Sequence, residues 1–387
     1  MIVTNVAAVS AVIVNYESGA RLAACVGSLR EQPALAETIV VDNGSADGSV
    51  ARALDSFPDL VLVTPGRNLG FAAGANAGAR VARGRLLFFL NPDVELAPRA
   101  VERLAAAFDH PDVAVAGPRI ELDRLGTLEL GSTVDPLGYP VPLTVLRPPL
   151  YVSGCALMTR RDLFAELGGF DERFFMFVED VDYCWRSFLR GLDVRVVSDA
   201  VARHDGGASA PGGYITSDGL STTRFRVVLR ERNTLATLLK CYASPTLVVA
   251  LPAYIAQSLA TAAALAATRR ADTAIGVLGG LWWNARELVR TLTLRREVQR
   301  SRTRRERDVL RRMHRGVQKL TLLRRFGVPP VDQSEAFPRT FPPSQPFGAR
   351  GRGSPRSPAP GSSPPGPHGE HRDRPPSGGV LPGRPRS

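Results

Sequence analysis

The sequence has few cysteines and almost no lysine. Its four cysteines, Cys25, Cys155, Cys184 and Cys241, form no closely spaced pair, which argues against a zinc site and a disulfide framework and indicates a reducing compartment. Only two of the 49 basic residues are lysines. This excess of arginine, with abundant alanine, glycine and proline, is typical of a high-GC bacterial genome.

The N-terminus lacks the pattern of a secretion signal, because it has no basic start and runs directly into an apolar strand. The net charge of +12 suggests a nucleic-acid partner as one alternative. Most of the excess charge lies in the C-terminal half, however, and no aromatic and basic recognition motif accompanies it. We therefore expect no nucleic-acid partner.

Three short apolar segments end in polar side chains. The apolar runs that open residues 8–19, 38–50 and 85–96 favour strands, and a proline that cannot continue a ladder follows the third run. Ligands bind at the carboxyl ends of strands in open parallel α/β sheets, so we predict a binding site there. The strand ends present Asn15, Asp42, Asn43, Ser45, Asn91 and Asp93.

The segment NLGFAAGANAG, residues 68–78, has a glycine at every fourth position. Gly70, Gly74 and Gly78 do not form the dinucleotide fingerprint G-x-G-x-x-G. Glycines at this spacing allow either a close approach of backbone to a ligand or close helix packing. The residues alone leave both interpretations open.

Residues 174–186, FFMFVEDVDYCWR, place three carboxylates directly after a bulky aromatic run. Burying an ionised carboxylate is costly, so a buried carboxylate is expected either to be paired with a positive charge or to belong to a functional site. A helix would pair Asp182 with Arg186 at i and i+4, and would leave Glu179 and Asp180 without a local partner. The segment therefore predicts a site, against the alternative of a solvated first turn whose acidic side chains meet the helix dipole.

Together, in this order, the segments resemble the family 2 inverting glycosyltransferases with the GT-A fold, most of all the actinobacterial rhamnosyltransferase-like and galactofuranosyltransferase-like members. The resemblance also includes YVSGCALMTRR at 151–161 and the later His204. It implies an α/β domain with a mixed central sheet flanked by helices. The N-terminal half of that domain would bind a nucleotide-sugar, and the second half would bind the acceptor.

The resemblance implies which residues bind the donor. Asp42 matches the carboxylate that accepts a hydrogen bond from the pyrimidine base. Asp93 matches the metal-binding aspartate of a D-x-D motif whose first position is Asn91 here, and His204 matches the imidazole that completes the metal shell. The expected ion is Mg²⁺ or Mn²⁺. The full donor-side set is Asn15, Asp42, Asn43, Ser45, Asn68, Gly74, Asn76 and Asn91.

The resemblance also assigns the acceptor side. Asp180 matches the catalytic base, which takes the proton of the attacking hydroxyl, and aromatic surroundings would raise its pKa. Glu179 would position the acceptor or orient the site, and Asp182 would hold Arg186. The expected acceptor-side residues are Gly154, Asp182, Trp185 and Arg186.

After about residue 224 the composition changes. Residues 246–268 are almost uncharged and near the ~20 residues that a bilayer span requires, although they contain Pro252 and Gln257. Residues 273–283 end in two tryptophans, which favour the membrane interface. An arginine-rich helix is expected over 286–325. We predict that it contacts anionic lipid headgroups, with both apolar segments in the interface; the alternatives are a solvated helix face and a groove for nucleic acid.

We therefore predict a catalytic domain over 1–223, a helical membrane-associated region over 224–328 and a disordered tail over 329–387. The expected activity is transfer of a sugar from dTDP-rhamnose or a UDP-sugar to a polyprenyl-diphosphate-linked or other cell-envelope glycan, at the cytoplasmic face of the membrane. The alternative is a catalytically inactive, membrane-associated glycan-binding or scaffold protein on the same fold. The intact metal and catalytic residues argue against it.

Overall fold

The computed structural model describes residues 9–122, 126–205, 214–216, 219–327 and 330–332, which belong to one compact unit. The strands are β1 Val9–Asn15, β2 Leu35–Asp42, β3 Val61–Val63, β4 Leu86–Leu90, β5 Val94–Leu96, β6 Val113–Leu122, β7 Thr127–Glu129, β8 Ser132–Val134, β9 Pro140–Pro142, β10 Ala156–Arg160, β11 Asp193–His204, β12 Tyr214–Thr216, β13 Gly219–Thr223 and β14 Val331–Asp332. The helices are α1 Arg21–Arg30, α2 Ser49–Ser56, α3 Gly70–Val81, α4 Ala100–Ala106, α5 Arg161–Glu166, α6 Glu179–Leu189, α7 Arg224–Cys241, α8 Ser244–Ala267, α9 Ala271–Arg286, α10 Leu288–Arg300, α11 Glu306–Arg312 and α12 Gln318–Phe326. Two short 3₁₀ helices span Ala107–Asp109 and Glu172–Phe174.

A mixed sheet forms the centre of the described fold. Its strands run in the order β3-β2-β1-β4-β10-β6-β11-β5, and β7 pairs with β6. The four strands from β3 to β4 in this order are parallel, whereas β10 is antiparallel to both of its neighbours. β1 is buried along its whole length, as expected for a strand covered on both faces. The predicted fold class, a mixed central sheet flanked by helices, is confirmed.

The register of the sheet brings the predicted strand ends to one edge. Asn15 pairs with Asp42 at the ends of β1 and β2. β4 ends immediately before Asn91, and the antiparallel β10 begins beside that end. The parallel strands β6 and β11 also end together, β11 at His204. Polar residues far apart in the sequence therefore meet at the carboxyl edge of the sheet.

Apolar side chains pack on both faces of the sheet. Val12 and Val14 belong to a cluster on one face with residues of α3, α6 and α7. Ala11 and Ile13 belong to the cluster on the other face, with residues of α1 and α4. This is the alternation that the period of a strand requires, and it determines which side chains of β1 lie on each face of the sheet.

Six helices, α7 to α12, follow the sheet. Within the described ranges, α8 is the one helix long and apolar enough to cross a membrane by length and composition, and 22% of its apolar window is buried. Val248 and Val249 on α8 are 74% and 71% exposed, and Trp282 on α9 is 66% exposed. These exposed apolar side chains lie in the two segments for which membrane contact was predicted.

The prediction of one arginine-rich helix over 286–325 is wrong, because the segment forms three helices, α10, α11 and α12. The breaks let the chain fold back on the sheet. Arg304 and Arg312 both bind the carboxylate of Asp193, at 3.1 and 3.0 Å. Arg295 donates to the carbonyl oxygens of two residues at the end of α7. Part of the basic charge predicted to face lipid therefore stabilises the fold.

The tail predicted over 329–387 lies outside the described residues except for 330–332. There Val331 and Asp332 form β14, which pairs with Thr222 and Thr223 of β13. The predicted domain boundaries after 223 and 328 stay predictions.

Candidate active site

A cavity of about 530 Å³ opens at the carboxyl edge of the sheet, within the range of roughly 300–1,000 Å³ that is usual for ligand pockets. Its walls come from the loop after β4, the loop before β10, the first turn of α6, the end of β11 and α7. The sheet register brings the loop after β4, the loop before β10 and the end of β11 together, and the first turn of α6 and α7 complete the lining.

Asn15, Asp42 and Ser45 form one hydrogen-bonded cluster at the ends of β1 and β2. Asn15 Nδ2 donates to Ser45 Oγ at 3.0 Å, and Ser45 Oγ donates to Asp42 Oδ1 at 2.6 Å. The Asp42 side chain is half-buried. Asn43, the next residue, is buried and lines the cavity. Asn15, Asp42 and Ser45 themselves do not line the cavity, and the role of the cluster in base recognition stays a prediction.

Asn43, Asn68 and Asn91 are the predicted donor-side residues that line the cavity. Asn43 Nδ2 donates to the carbonyl oxygen of Gly70 at 3.0 Å, and Asn68 Oδ1 accepts from Gly70 N at 2.8 Å. These two amides fix the start of α3 beside the cavity, where Gly70 adopts a φ of +79°.

Gly74 and Asn76, also expected on the donor side, have packing contacts instead. A Cβ atom on Gly74 would lie 2.9 Å from Val14 Cγ1, which is too close, so the glycine lets α3 pack against β1. Asn76 is fully buried and binds both backbone groups of Phe170, at 2.9 and 3.0 Å. Gly74 and Asn76 therefore serve helix packing, which was one of the two interpretations left open by the sequence. Neither residue lines the cavity.

Asp93 and His204 face each other in the cavity. Nε2 of His204 lies 3.4 Å from Oδ1 of Asp93, and the two side chains are 14% and 1% exposed. The antiparallel pairing of β5 with β11 places them together, since Val94 is opposite His204. Among the described residues no group of three His, Cys, Asp or Glu side chains forms a metal cluster. A carboxylate oxygen and an imidazole nitrogen this close fit a divalent cation that takes its other ligands from a bound substrate.

Asp180 lies in the first turn of α6 and lines the cavity. Its Oδ2 accepts a hydrogen bond from the backbone N–H of Gly154 at 2.8 Å, and its Oδ1 accepts one from the N–H of Val181 at 2.8 Å. Burial raises the pKa of Asp180, although these N–H groups and the charge of Arg230 oppose the rise. The predicted acceptor-side Gly154 thus holds the predicted base, and a Cβ on Gly154 would lie 3.3 Å from Asp180 Cβ.

Glu179 is a buried carboxyl group that also lines the cavity. Within the described residues its Oε2 has no hydrogen-bond partner. Burial, and next the negative charge of Asp180, raise the pKa of Glu179 well above its ordinary value of 4.5. The pKa values of both adjacent carboxyl groups are therefore raised, more strongly for Glu179.

The loop before α6 has a strained backbone. Phe175, Phe177 and Val178 have φ values of +64°, +70° and +73°, each of which costs of order 1–3 kcal/mol for a non-glycine residue. Asn233 of α7 compensates, because its Nδ2 donates to the carbonyl oxygens of Phe174, Met176 and Phe177 at 2.8–3.0 Å. The strain turns the chain so that Glu179 and Asp180 enter the cavity at the start of the helix.

Asp182, Trp185 and Arg186, expected on the acceptor side, lie in the core and do not line the cavity. The predicted pair is present, since Arg186 Nε donates to Asp182 Oδ2 at 2.8 Å. Lys240 adds a second ion pair, with its Nζ 2.6 Å from Asp182 Oδ1. Trp185 packs edge to face on Tyr242, with ring centroids 5.1 Å apart. Asp182 joins α6 to α7 through Lys240, Trp185 packs on Tyr242 just after α7, and Arg186 donates to the carbonyl oxygens of Leu167 and Gly169. The predicted direct contact of these three residues with an acceptor is therefore replaced by a structural role.

The sequence analysis missed four cavity residues, Glu129, Tyr151, Arg226 and Arg230. Ser132 Oγ donates to Glu129 Oε1 at 2.5 Å, and burial raises the pKa of Glu129. Glu129 lies in β7, outside the motifs that the sequence offered, and Tyr151 begins the motif at 151–161 but was assigned no role. The two arginines stand one helical turn apart, at i and i+4 on α7. That spacing was the one signal in the sequence that could have indicated a shared face.

Comparison with known proteins shows which proteins this chain resembles. Residues 10–168 match the family model described as Glycosyl transferase family 2. The N-acetylglucosaminyl-diphospho-decaprenol L-rhamnosyltransferase of Mycobacterium tuberculosis (strain ATCC 25618 / H37Rv) is 28% identical over 256 residues, which cover 55% of this chain and 82% of the relative. The dTDP-rhamnosyl transferase of Shigella flexneri is 23% identical over 205 residues, which cover 50% and 68%.

These matches define the chain as a glycosyltransferase. More narrowly, residues 10–168 match a Glycosyl transferase family 2 domain, and relatives of the chain are named as rhamnosyltransferases and hexosyltransferases. Among solved structures, a mannosyltransferase from Pyrobaculum calidifontis in complex with GDP-Man and Mn²⁺ is 18% identical with a TM-score of 0.44, and the match covers 76% of this chain and 85% of that one.

Proposed function

We propose that this enzyme transfers a sugar, with inversion at the anomeric carbon, from a nucleotide-sugar to a hydroxyl group of a lipid-linked glycan. The observation that carries the proposal is that one cavity contains both the half-buried carboxylate of Asp180 and the adjacent pair of Asp93 and His204. A carboxylate can take a proton from the acceptor, while the pair can hold a cation on the donor diphosphate.

Asp180 is the proposed general base. The acceptor oxygen forms a bond to the anomeric carbon while the bond from that carbon to the diphosphate oxygen breaks. The hydroxyl proton passes to Asp180, and the electron pair of the broken bond leaves with the nucleoside diphosphate. The raised pKa of Asp180 makes its carboxylate a better proton acceptor, and the N–H groups of Gly154 and Val181 fix the orientation of its oxygens.

Glu179 is the proposed acceptor-positioning residue. Burial raises its pKa well above the ordinary value, which favours the protonated carboxyl group, the form that can donate a hydrogen bond. An oxygen atom of the acceptor sugar is a suitable partner for that donor. The two carboxyl groups would then differ in role because the environment gives them different protonation states.

Asp93 and His204 would hold the divalent cation, Mg²⁺ or Mn²⁺. The cation would stabilise the negative charge of the departing nucleoside diphosphate. The two protein ligands leave the remaining positions to diphosphate and water oxygens, as is usual for Mg²⁺ in nucleotide sites. Asn91, at the first position of the motif, keeps the local negative charge lower than a second aspartate would.

The proposed donor is dTDP-rhamnose, with UDP-sugars next, and the proposed acceptor is a polyprenyl-diphosphate-linked glycan. Support comes from the two rhamnosyltransferase relatives, whose names contain dTDP and a diphospho-decaprenol acceptor. Asp42 would accept a hydrogen bond from the pyrimidine base, since its half-buried carboxylate lies beside Asn43 at the border of the cavity.

We further propose that the enzyme works at the cytoplasmic face of the membrane. The support is the apolar helix α8, with its exposed Val248 and Val249, and the exposed Trp282 on α9. Such side chains favour the interface of a bilayer. High salt should release the part of the enzyme held by arginines, and detergent should be needed for the rest.

The test of the proposed function uses the purified full-length enzyme in two stages. The first is a thermal-shift panel of dTDP-rhamnose, UDP-glucose and UDP-galactofuranose, with and without Mn²⁺, because a ligand of the folded state raises Tm. The second is transfer to synthetic N-acetylglucosaminyl-diphospho-polyprenol, with the anomeric configuration of the product read by NMR. A donor that binds but is never transferred to this acceptor would contradict the proposed acceptor, and retained configuration would contradict the mechanism.

A further inference from the structure

A second cavity, of about 430 Å³, adjoins the active-site cavity. Its walls come from α7, α8, α12 and the segment 137–140. The two cavities share four lining residues, Tyr139, Pro140, Arg230 and Leu322, so they are neighbouring parts of one space. The second cavity is larger than packing voids, which seldom exceed a water molecule, and it is of a size that is usual for a ligand.

The lining of the second cavity is mostly apolar. Helix α8 contributes one face, which includes Tyr254, Ala260, Ala264 and Leu265. On a different face α8 exposes Val248 and other apolar side chains to the surroundings. The same helix therefore carries an apolar surface suited to a bilayer and an apolar wall of the internal cavity.

Charge is concentrated where the two cavities meet. The described lining of the second cavity contains three charged residues, Arg230, Glu231 and Lys319. Lys319 neutralises Glu231 by an ion pair, and Ser258 Oγ donates to the same carboxylate at 3.1 Å. Arg230 has no carboxylate partner within the described residues, and its guanidinium lies 6.0 Å from the centre of the Tyr139 ring. A positive charge thus stands between an apolar cavity and the catalytic one.

We infer that the second cavity binds the first isoprenoid units of the acceptor lipid, with Arg230 on the acceptor's diphosphate and the acceptor sugar in the active-site cavity. The inference rests on the proposed function and extends it to the non-reacting part of the acceptor. Such a lipid consists of an apolar chain, then a diphosphate and then a sugar. The protein presents matching features in the same order: the apolar second cavity, Arg230 and the active-site cavity. A guanidinium is a strong ligand for phosphate oxygens.

The first experiment measures binding without turnover. Farnesyl diphosphate and farnesol are titrated into the full-length enzyme in EDTA with saturating dTDP, which keeps the donor position occupied, and tryptophan fluorescence is recorded. We expect Arg230→Gln to weaken the binding of farnesyl diphosphate at least tenfold and the binding of farnesol less than twofold. The control Arg296→Gln, at an exposed position on α10, removes the same charge and should change neither. Equal effects of Arg230→Gln on both lipids would overturn the diphosphate assignment.

The second experiment tests the cavity itself with Ala264→Phe, which fills it, and Ala263→Phe, which adds the same ring at an exposed position of α8 outside the lining. Transfer is measured to acceptors with a decaprenyl or a single isoprenyl tail. We expect Ala264→Phe to raise KM at least tenfold for the decaprenyl acceptor alone, with Ala263→Phe like the wild type. Equal KM values for both tails in the wild type, or an equal effect of both variants, would overturn the inference. Absence of transfer to either acceptor would instead contradict the proposed function.

Discussion

The imidazole of His204 lies 3.4 Å from the carboxylate of Asp93, although 111 positions separate the two residues in the chain. The pairing of β5 with β11 creates this contact. The pair is the one place in the described cavity lining where a carboxylate and an imidazole could share a cation.

If the pair holds the cation, Asp93→Asn and His204→Ala should each weaken Mn²⁺-dependent donor binding by at least about tenfold. Even the mutation of a residue that only supports a metal ligand lowers metal affinity by about that factor. Calorimetric titration of the nucleotide-sugar with and without Mn²⁺ measures this effect. His110→Ala, at an exposed histidine, is the control. Unchanged metal dependence in His204→Ala would remove the histidine from the site.

The pKa of Glu179 gives the stability of the enzyme a predictable dependence on pH. The pKa is raised above 4.5 in the folded state, so the folded protein keeps a proton that the unfolded chain releases. The stabilisation from that proton is complete below about pH 4.5 and is lost as pH rises through the folded pKa. Glu179→Gln should therefore gain stability relative to the wild type as pH rises, by about 1–3 kcal/mol at pH 8.

Urea unfolding at several pH values measures this gain. The exposed Glu95→Gln is the matched control and should show no such trend. A Glu179→Gln variant that loses stability at pH 8 would mean that Glu179 is ionised and paired in the folded enzyme.

Asn233 holds the strained loop by three hydrogen bonds to carbonyl oxygens. Asn233→Asp keeps the size of the side chain but has no donor, and sets a carboxylate against those oxygens. We expect a loss of about 2–3 kcal/mol in the free energy of unfolding and a fall in kcat of at least tenfold. Donor Kd should stay near the wild-type value, because the donor-side residues lie on other elements. Normal kcat would show that the loop does not position Asp180.

Gly78 tests the packing of α3 on the sheet. A Cβ there would lie 2.4 Å from Val12 Cγ1, so Gly78→Ala should destabilise the enzyme by about 1–3 kcal/mol. Gly279 of α9 has open space around it, and Gly279→Ala should be neutral or stabilising by up to about 1 kcal/mol. Equal unfolding midpoints for the two variants would contradict the close contact.

The sequence predicted three strands, now β1, β2 and β4, with polar residues at their ends, and it grouped Asp93, Asp180 and His204 in one site. Each of these predictions depends on a local pattern or on the family resemblance. It could not predict the contribution of Arg230. That residue reaches the site through the packing of α7, and its i, i+4 spacing from Arg226 indicates a shared helix face but not the cavity that this face lines.

Three predicted acceptor-side residues, Asp182, Trp185 and Arg186, lie in the core and not in the cavity lining, for a related reason. Helix α6 is buried nearly all round, so its periodicity does not distinguish the face on the cavity from the face on α7. Asp182 pairs with Arg186 as expected, and it forms a second ion pair with Lys240 in the core. Only the first turn of the helix reaches the cavity.

The central claim, that Asp180 takes the acceptor proton, is tested most directly by comparing Asp180→Asn with the wild type in transfer rate and in donor Kd. The proposed mechanism predicts a fall in transfer of about 10²–10⁴ with donor Kd unchanged, since the side chain acts on the acceptor and not on the nucleotide. Transfer near the wild-type rate in Asp180→Asn would contradict the claim.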